Sequence, residues 1–412
     1  MLIKDVSLLQ SCALLKGRDI LIEGNRISKI GRDLKDENDD ETINGHGKLA
    51  IPGLVNSHTH LAMTLFRGYA DDMALMPWLT EKIWPMEARL TPEDIRWGVK
   101  LGCLEMIRFG VTCYNDMYYF MDETAAATKE MGLRAFLSGV LFDARQEFMA
   151  EAESFLKDWS GDDLIHPAVG PHSIYTCSEE TLLRASDLAE KYDVMLHTHL
   201  SETKGEVEES IKKHGQSPVE YLDSLRLLSN RLVAAHCVWL SEKDITLLVR
   251  RRVNVAHCPV SNLKLAAGIA PIVSLLRAGA NVCLGADGAS SNNNLSLFEE
   301  MKTMAIVQKN ASGRPDVMLA EEVWQIATEN AYKAFGLDMG LREGALADLS
   351  LIDLKKPWFT PETSIISHLI YSMAGGVDTT IVNGRALMIG GVIPGEEMIL
   401  ERAQAQFERL TA

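Results

Sequence analysis

Much that would steer a reading of this 412-residue chain elsewhere is scarce or missing. No uninterrupted apolar run approaches the roughly 18 residues that a membrane-spanning helix needs, so a membrane protein is not expected. The first residues show no charged segment leading into an apolar core and a small-residue cleavage site, which makes a cytoplasmic protein the expectation. Cysteine is sparse. Cys12, Cys103, Cys113, Cys177, Cys237, Cys258 and Cys283 are odd in number and lack paired spacing, which argues against a disulfide framework or a CxxC metal site and leaves small buried hydrophobes. Basic residues are outnumbered, 41 against 57 acidic, and the resulting charge of −16 repels phosphate backbones and anionic lipid surfaces. Neither nucleic acid nor a membrane is an expected partner.

What is present is a 47% hydrophobic fraction without low-complexity tracts, enough for a large core with one principal domain and a smaller one. Residues 1–50 are β-like, with two strands inside 19–30 joined at Gly24-Asn25 and an acidic run at 33–41 that reads as a solvated turn. From 51 to 344 the pattern changes. Short apolar runs at 111–115, 135–141, 166–170, 194–199, 232–237, 253–257 and 282–287 alternate with segments of helical periodicity such as 92–108, 178–192 and 242–250. With the run ending at His58 and His60 there are about eight, which predicts an α/β fold built on a (β/α)8 TIM-type barrel with its chemistry at the strands' C-terminal ends. Residues 345–412 turn β-like again and are expected to complete a small β-sandwich domain with the first 50. A last helix would pack through Ile399, Ala403, Phe407 and Leu410.

Residues 52–60 read Pro-Gly-Leu-Val-Asn-Ser-His-Thr-His. Side chains alternate along a strand, so His58 and His60 share a face, and two imidazoles at a strand end suit a metal whose other ligands arrive from elsewhere in the chain. Further candidates end later strands: His197 and His199, then His236, His257 and Asp287. A single buried histidine is usually a satisfied core residue, but this many at one barrel mouth favour a metal centre. Of the pair on the fifth strand, His199 stands last and is the better ligand, with His197 behind it. Asp287 lies in Gly-Ala-Asp-Gly, where glycine lets backbone approach closely. Three imidazoles and a carboxylate suit one divalent ion, Zn²⁺ by preference, with Fe²⁺ or Mn²⁺ able to take the same ligands.

The motifs Pro-Gly-Leu-Val-Asn-Ser-His-Thr-His, His-Thr-His-Leu-Ser-Glu, Ala-Ala-His-Cys and Gly-Ala-Asp-Gly occur in an order, spread over essentially the whole chain, that resembles the amidohydrolase superfamily. The branch is that of cytosine deaminases and chlorohydrolases, and the chain looks most like the group deaminating S-adenosylhomocysteine and 5′-methylthioadenosine. The resemblance implies a mononuclear metal on His58, His60, His199 and Asp287. It implies catalytic roles for Asp287 as proton acceptor, His236 as stabiliser of the tetrahedral centre and Glu202 as proton shuttle. It further implies substrate contacts from Glu87 to the ribose hydroxyls, from His172, from Arg134 and Arg145 as cations, and from Glu202.

Met63, Leu65, Trp78 and Trp84 could wall a ribose thioether, while His257 and residues 290–294 would shape the pocket floor. The expected partner is a small nucleoside, and a homo-oligomer is left open. The same machinery acting on guanine, cytosine, a pterin or a triazine is the alternative, and a non-catalytic scaffold on this fold is another.

Overall fold

Two eight-stranded sheets organise the chain in this computed structural model, which describes residues 1–10, 12–35, 41–145 and 147–412. The chain opens with β1 (Leu2–Gln10), β2 (Ala13–Glu23), β3 (Arg26–Gly31), β4 (Thr42–Asn44) and β5 (Lys48–Pro52). The hairpin between β2 and β3 turns at Gly24-Asn25 as its sequence demands, and Gly24 takes the left-handed φ of +59°. Of the acidic run at 33–41, residues 36–40 lie outside the described residues.

The barrel follows as β6 (Leu54–Thr59), β7 (Val111–Tyr118), β8 (Arg134–Leu141), β9 (Ile165–Pro171), β10 (Leu196–Leu200), β11 (Leu232–His236), β12 (Asn254–His257) and β13 (Asn281–Leu284). Neighbours in this series pair in parallel. A parallel ladder needs a crossover between strands, and helices starting at ready-made caps supply it. Thr91 caps Pro92–Arg108 with Asp94 reciprocating, Ser178 caps Glu179–Tyr192, and Ser241 caps Glu242–Arg251 with Asp244 reciprocating. The ring closes between its first and last strands, where Asp287 N–H donates to the His58 carbonyl at 2.9 Å and Ala286 N–H to Asn56 Oδ1 at 2.9 Å. Glycine is required at this seam, because a Cβ on Gly285 would lie 2.9 Å from the His58 backbone nitrogen.

Toward the N-terminal ends of the barrel strands, Val55, Cys113, Phe136, Val233, Ala256 and Cys283 cluster in one apolar layer, plugged by Tyr332 and Phe335. Packing here is apolar, so the polar residues collect at the opposite mouth.

The chain then returns as β14 (Leu349–Asp353), β15 (Thr379–Val382) and β16 (Arg385–Met388). β14 pairs antiparallel with β5, giving a separate mixed sheet of order β16-β15-β14-β5-β1-β2-β3 with β4 on β1. The final helix, Glu396–Thr411, buries Ile399, Ala403 and Leu410 as its periodicity predicts, but Gln406 takes the fourth buried place and Phe407 is only half-buried. At 100° per residue, position 406 lies about 20° from the line of Ile399 and position 407 about 80° from it. No helix among the described residues is long and apolar enough to cross a membrane.

Candidate metal centre and active-site cleft

The mouth of the barrel is a cleft with His60, His172, His199, His236 and Asp287 on its lining and Met63, Trp78, Trp84 and Glu87 among its walls. His199 lies within the regular ladder of β10 with β11, whereas the other strand-end residues are turned into place by backbone that departs from the regular strand. Pairing of β6 with β7 is irregular between Asn56 and Thr59, and His60 lies just past the strand as the cap of a short 3-10 turn, Leu61–Phe66. His236 and Asp287 adopt left-handed φ values of +73° and +59°. That conformation is disfavoured for a residue with a Cβ and here turns both side chains out of strand alternation at the mouth.

Hydrogen bonds assign the imidazole protons. His60 Nδ1 donates to the Met117 carbonyl at 2.7 Å and His199 Nδ1 to the His172 carbonyl at 2.8 Å. A carbonyl only accepts, so both protons reside on Nδ1 and both Nε2 atoms present bare lone pairs. His58 Nδ1 lies 2.8 Å from His197 Nε2, which places His197 directly behind His58. The other His58 nitrogen, Nε2, is buried without a hydrogen-bond partner among the described residues. It faces Asp287 Oδ1 at 3.3 Å, and His60 Nε2 faces the same oxygen at 3.4 Å. The second carboxylate oxygen, Oδ2, accepts from the hydroxyls of Ser261 at 2.6 Å and Ser291 at 2.9 Å.

This arrangement fits a divalent metal ion. One ligand nitrogen from each of His58, His60 and His199 lies within 4.8 Å of the others, and His58, His236 and Asp287 form a second such group. A buried nitrogen with no partner carries a desolvation cost that a cation among these lone pairs removes. Each ligand is also backed on its far side by a carbonyl, a ring nitrogen or hydroxyls, the outer support that ligating imidazoles and carboxylates require.

His236 differs from the other three. Asn262 Nδ2 donates to its Nδ1 at 2.9 Å, leaving a proton on Nε2 to be donated into the cleft. Burial first, then neighbouring imidazoles, push its pKa down to about 3 against the pull of Asp287, so the ring is neutral. Glu202 Oε2 stands 3.9 Å from His236 Nε2. Burial, followed by the charges of Asp287 and Glu206, raises the Glu202 carboxyl well above its ordinary range. A protonated carboxyl beside a neutral imidazole can deliver a proton.

Glu87, on the same cleft, is half-buried and accepts from Tyr118 Oη at 2.8 Å and from Tyr119 Oη at 3.3 Å. Burial raises its pKa, and the two phenols oppose that shift. His172 is held by the hydroxyls of Thr176 at 2.9 Å and Ser173 at 3.1 Å, with its ring against Phe142 and His199. Trp78, Trp84 and Met63 line the cleft as expected, whereas Leu65 is packed in the core. His257 is buried outside the lining, and Ser291 serves the Asp287 carboxylate.

Arg134 requires a correction. It is the first residue of β8, at the barrel end opposite the cleft, and its guanidinium is spent on Asp348 Oδ2 at 3.0 Å, the Asp163 carbonyl at 2.6 Å and Asn383 Oδ1 at 3.3 Å. A residue that starts a barrel strand cannot reach the mouth where the strand ends, so Arg134 touches no substrate. Arg145 stands at the rim instead. Its side chain is 57% exposed, lies 3.4 Å from Glu147 and lines an outer basin that shares Trp84, Glu87, Tyr119 and Phe142 with the cleft.

Several supporting groups escape a reading of the sequence. Tyr118 and Tyr119 are adjacent at a strand end, where alternation puts only one on the inner face, so no spacing marks both as partners of Glu87. Ser261 and Asn262 lie in Cys-Pro-Val-Ser-Asn, where Pro259 starts the short helix Pro259–Lys264; that helix start is legible, its targets are not.

Comparison with known proteins agrees with this geometry. A family model described as the amidohydrolase family matches residues 49–387. The chain is 66% identical over 410 residues, 100% of its length and 99% of the relative's, to a protein named 5'-deoxyadenosine deaminase from Methanothrix thermoacetophila. It is 44% identical over 421 residues to 5-methylthioadenosine/S-adenosylhomocysteine deaminase 1 from Archaeoglobus fulgidus, covering 100% and 99% of the two chains. Among solved structures, an adenosine deaminase from Xanthomonas campestris with bound zinc superposes with a TM-score of 0.95 at 33% identity, covering 100% of this chain and 98% of that one.

Proposed function

The chain belongs to the amidohydrolase family, and from that premise we propose that it is a metal-dependent hydrolase that deaminates adenine nucleosides lacking a 5′-hydroxyl: S-adenosylhomocysteine, 5′-methylthioadenosine and 5′-deoxyadenosine. The observation that carries the proposal is the meeting, at one cleft, of the His58, His60, His199 and Asp287 cluster with a Glu87 clamped by two tyrosines. The names of the relatives from Methanothrix thermoacetophila and Archaeoglobus fulgidus support the substrate class, and the first adds 5′-deoxyadenosine to it.

His58, His60, His199 and Asp287 would hold the metal, Zn²⁺ by analogy with the zinc-bound neighbour, with Fe²⁺ or Mn²⁺ compatible with the same donors. When bound, the ion supplies a water acidified toward a pKa of roughly 7. Asp287 accepts the proton of the attacking water. Glu202 delivers its proton to N1 of the adenine as the new C6–O bond forms, which turns C6 into an electrophile. His236 Nε2–H donates to the oxygen on the tetrahedral carbon. The proton held by Asp287 then passes to the C6 amino group and the C–N bond breaks; the hydroxyl on C6 returns its proton to Glu202 as the C6 carbonyl forms, and ammonia leaves with the inosyl product. Glu87 accepts hydrogen bonds from the ribose hydroxyls, His172 contacts the nucleoside, and Arg145 at the rim faces whatever the 5′ carbon bears. The apolar wall of Leu75, Trp78, Leu79 and Ile83 disfavours a free 5′-hydroxyl.

The test is an ultraviolet spectrum over time for Zn²⁺-loaded protein with each of the three nucleosides, adenosine, guanine and cytosine. Conversion of adenine to hypoxanthine absorbance, fastest without a 5′-hydroxyl, is the expected result. Reaction with guanine or cytosine alone would keep the metal centre and discard the reading of Glu87. Inertness toward all six would reject the proposal.

A further inference from the structure

Glu206 is placed where a carboxylate ordinarily caps a helix, yet it is used differently. It sits in the first turn of the helix Lys204–His214, whose cap, Thr203, accepts the Glu206 N–H at 3.2 Å. A glutamate at this third helical position usually turns back onto the N–H of the cap residue itself. Here it reaches further. Oε1 accepts from Ser201 N–H at 2.9 Å and Oε2 from Glu202 N–H at 2.8 Å, so each oxygen is committed to one of two successive peptide groups.

The turn it grips needs holding. Ser201 has a left-handed φ of +52°, a conformation disfavoured for a residue with a Cβ. The other side of the turn is fixed as well: the Ser201 carbonyl accepts from Val238 N–H at 3.0 Å and Trp239 N–H at 2.9 Å, and the Leu200 carbonyl from Cys237 N–H at 3.0 Å. Those donors follow His236 directly. The turn bearing Glu202 is thus stapled on one side to the turn bearing His236 and on the other to Glu206. Among the described residues, backbone groups of Ser201, Glu202 and Thr203 are what offset the burial of Glu206, so its carboxylate serves the backbone.

We infer that Glu206 is a positioning residue for the deamination, holding the Ser201-Glu202 turn so that the Glu202 carboxyl is presented beside His236. The inference rests on the reading of Glu202 as the proton carrier.

The experiment compares Glu206→Gln, Glu202→Gln and the double variant, each assayed for kcat, KM, metal content and melting temperature. In Glu206→Gln an amide NH₂ faces a peptide N–H, one of the two grips is lost and the carboxyl of Glu202 shifts. Turnover is expected to fall roughly 10–100-fold, the scale of a small misplacement of a reacting group. KM and metal content should stay near those of the parent. If Glu206 acts through Glu202, the double variant turns over no more slowly than Glu202→Gln alone. A helix-capping role would instead lower the melting temperature without touching kcat, as Thr203→Ala should. Should Glu206→Gln not fold, Glu206→Asp keeps the charge, falls one methylene short of the turn and carries the same comparison. Parental kcat in the Glu206 variant, or losses that multiply in the double variant, would overturn the inference alone. An active Glu202→Gln would remove the reading beneath it as well.

Discussion

Arg134 and Asp348 form a fully enclosed ion pair, 3.0 Å from Nε to Oδ2, with side chains only 3% and 0% exposed. The pair joins the start of a barrel strand to the segment that enters the terminal sheet. Asn383 completes it, its N–H donating to Asp348 Oδ1 at 2.7 Å. Breaking a buried pair strands a charge in low dielectric, at a cost of about 3–5 kcal/mol. Arg134→Leu should therefore lower the melting temperature while leaving the KM of the folded fraction unchanged. A raised KM with unaltered stability would return Arg134 to the substrate.

Metal dependence follows from the orphaned His58 Nε2 and the bare nitrogens of His60 and His199. Dialysis against a chelator should abolish turnover, and stoichiometric Zn²⁺ should restore it. His197→Phe keeps an aromatic ring, though a larger one, but removes the partner of His58 Nδ1. Loss of such outer support should weaken metal affinity about 10–100-fold, read by competition with a chromophoric chelator. Unaltered affinity would make His197 a packing residue.

Glu87 gives a prediction about specificity. Hydrogen bonds to a charged acceptor contribute roughly 1.5–3 kcal/mol, so Glu87→Ala should cost about 10–100-fold in kcat/KM for nucleosides. Tyr118→Phe and Tyr119→Phe free the carboxylate to rotate and should raise KM more modestly. Equal kcat/KM in all three variants would remove the ribose from this wall of the cleft.

Stability should carry a pH signature from Glu300. This carboxyl is buried against Val260 N–H and Asn292 Nδ2, and burial pushes its pKa up to about 8 from an ordinary value near 4.5. Between those values the folded chain keeps a proton that the unfolded chain has released. Stability from this group is thus fully present below pH 4.5 and is lost as pH rises toward 8. Glu300→Gln should flatten the fall of melting temperature across that window. An unchanged slope would assign it to other groups.

The barrel was legible because its strands read as short apolar runs, buried on both faces, that alternate with segments of helical periodicity. The clustering of His58, His60, His199, His236 and Asp287 was legible for the same reason, since strand ends in such a barrel converge. Arg134 misled because motif position and spatial position part company at a strand's first residue. Tyr118, Tyr119, Ser261 and Asn262 were hidden because they act through directions of side chains leaving irregular turns, which periodicity does not encode. The buried Gln406 shows the same limit on a smaller scale, as helix phase outweighed hydrophobicity.

The pairing of β5 with β14 joins strands separated by almost three hundred residues of chain. At roughly 5–20 residues per second, a ribosome takes on the order of 15–60 s to make that intervening length. Throughout that interval β5 can pair with β1 on one side while its other edge has no native partner. Open strand edges recruit other strands, including those of neighbouring nascent chains. The vulnerable moment in the life of this protein is therefore its synthesis, and the yield of folded protein should fall when translation of the second half is slowed.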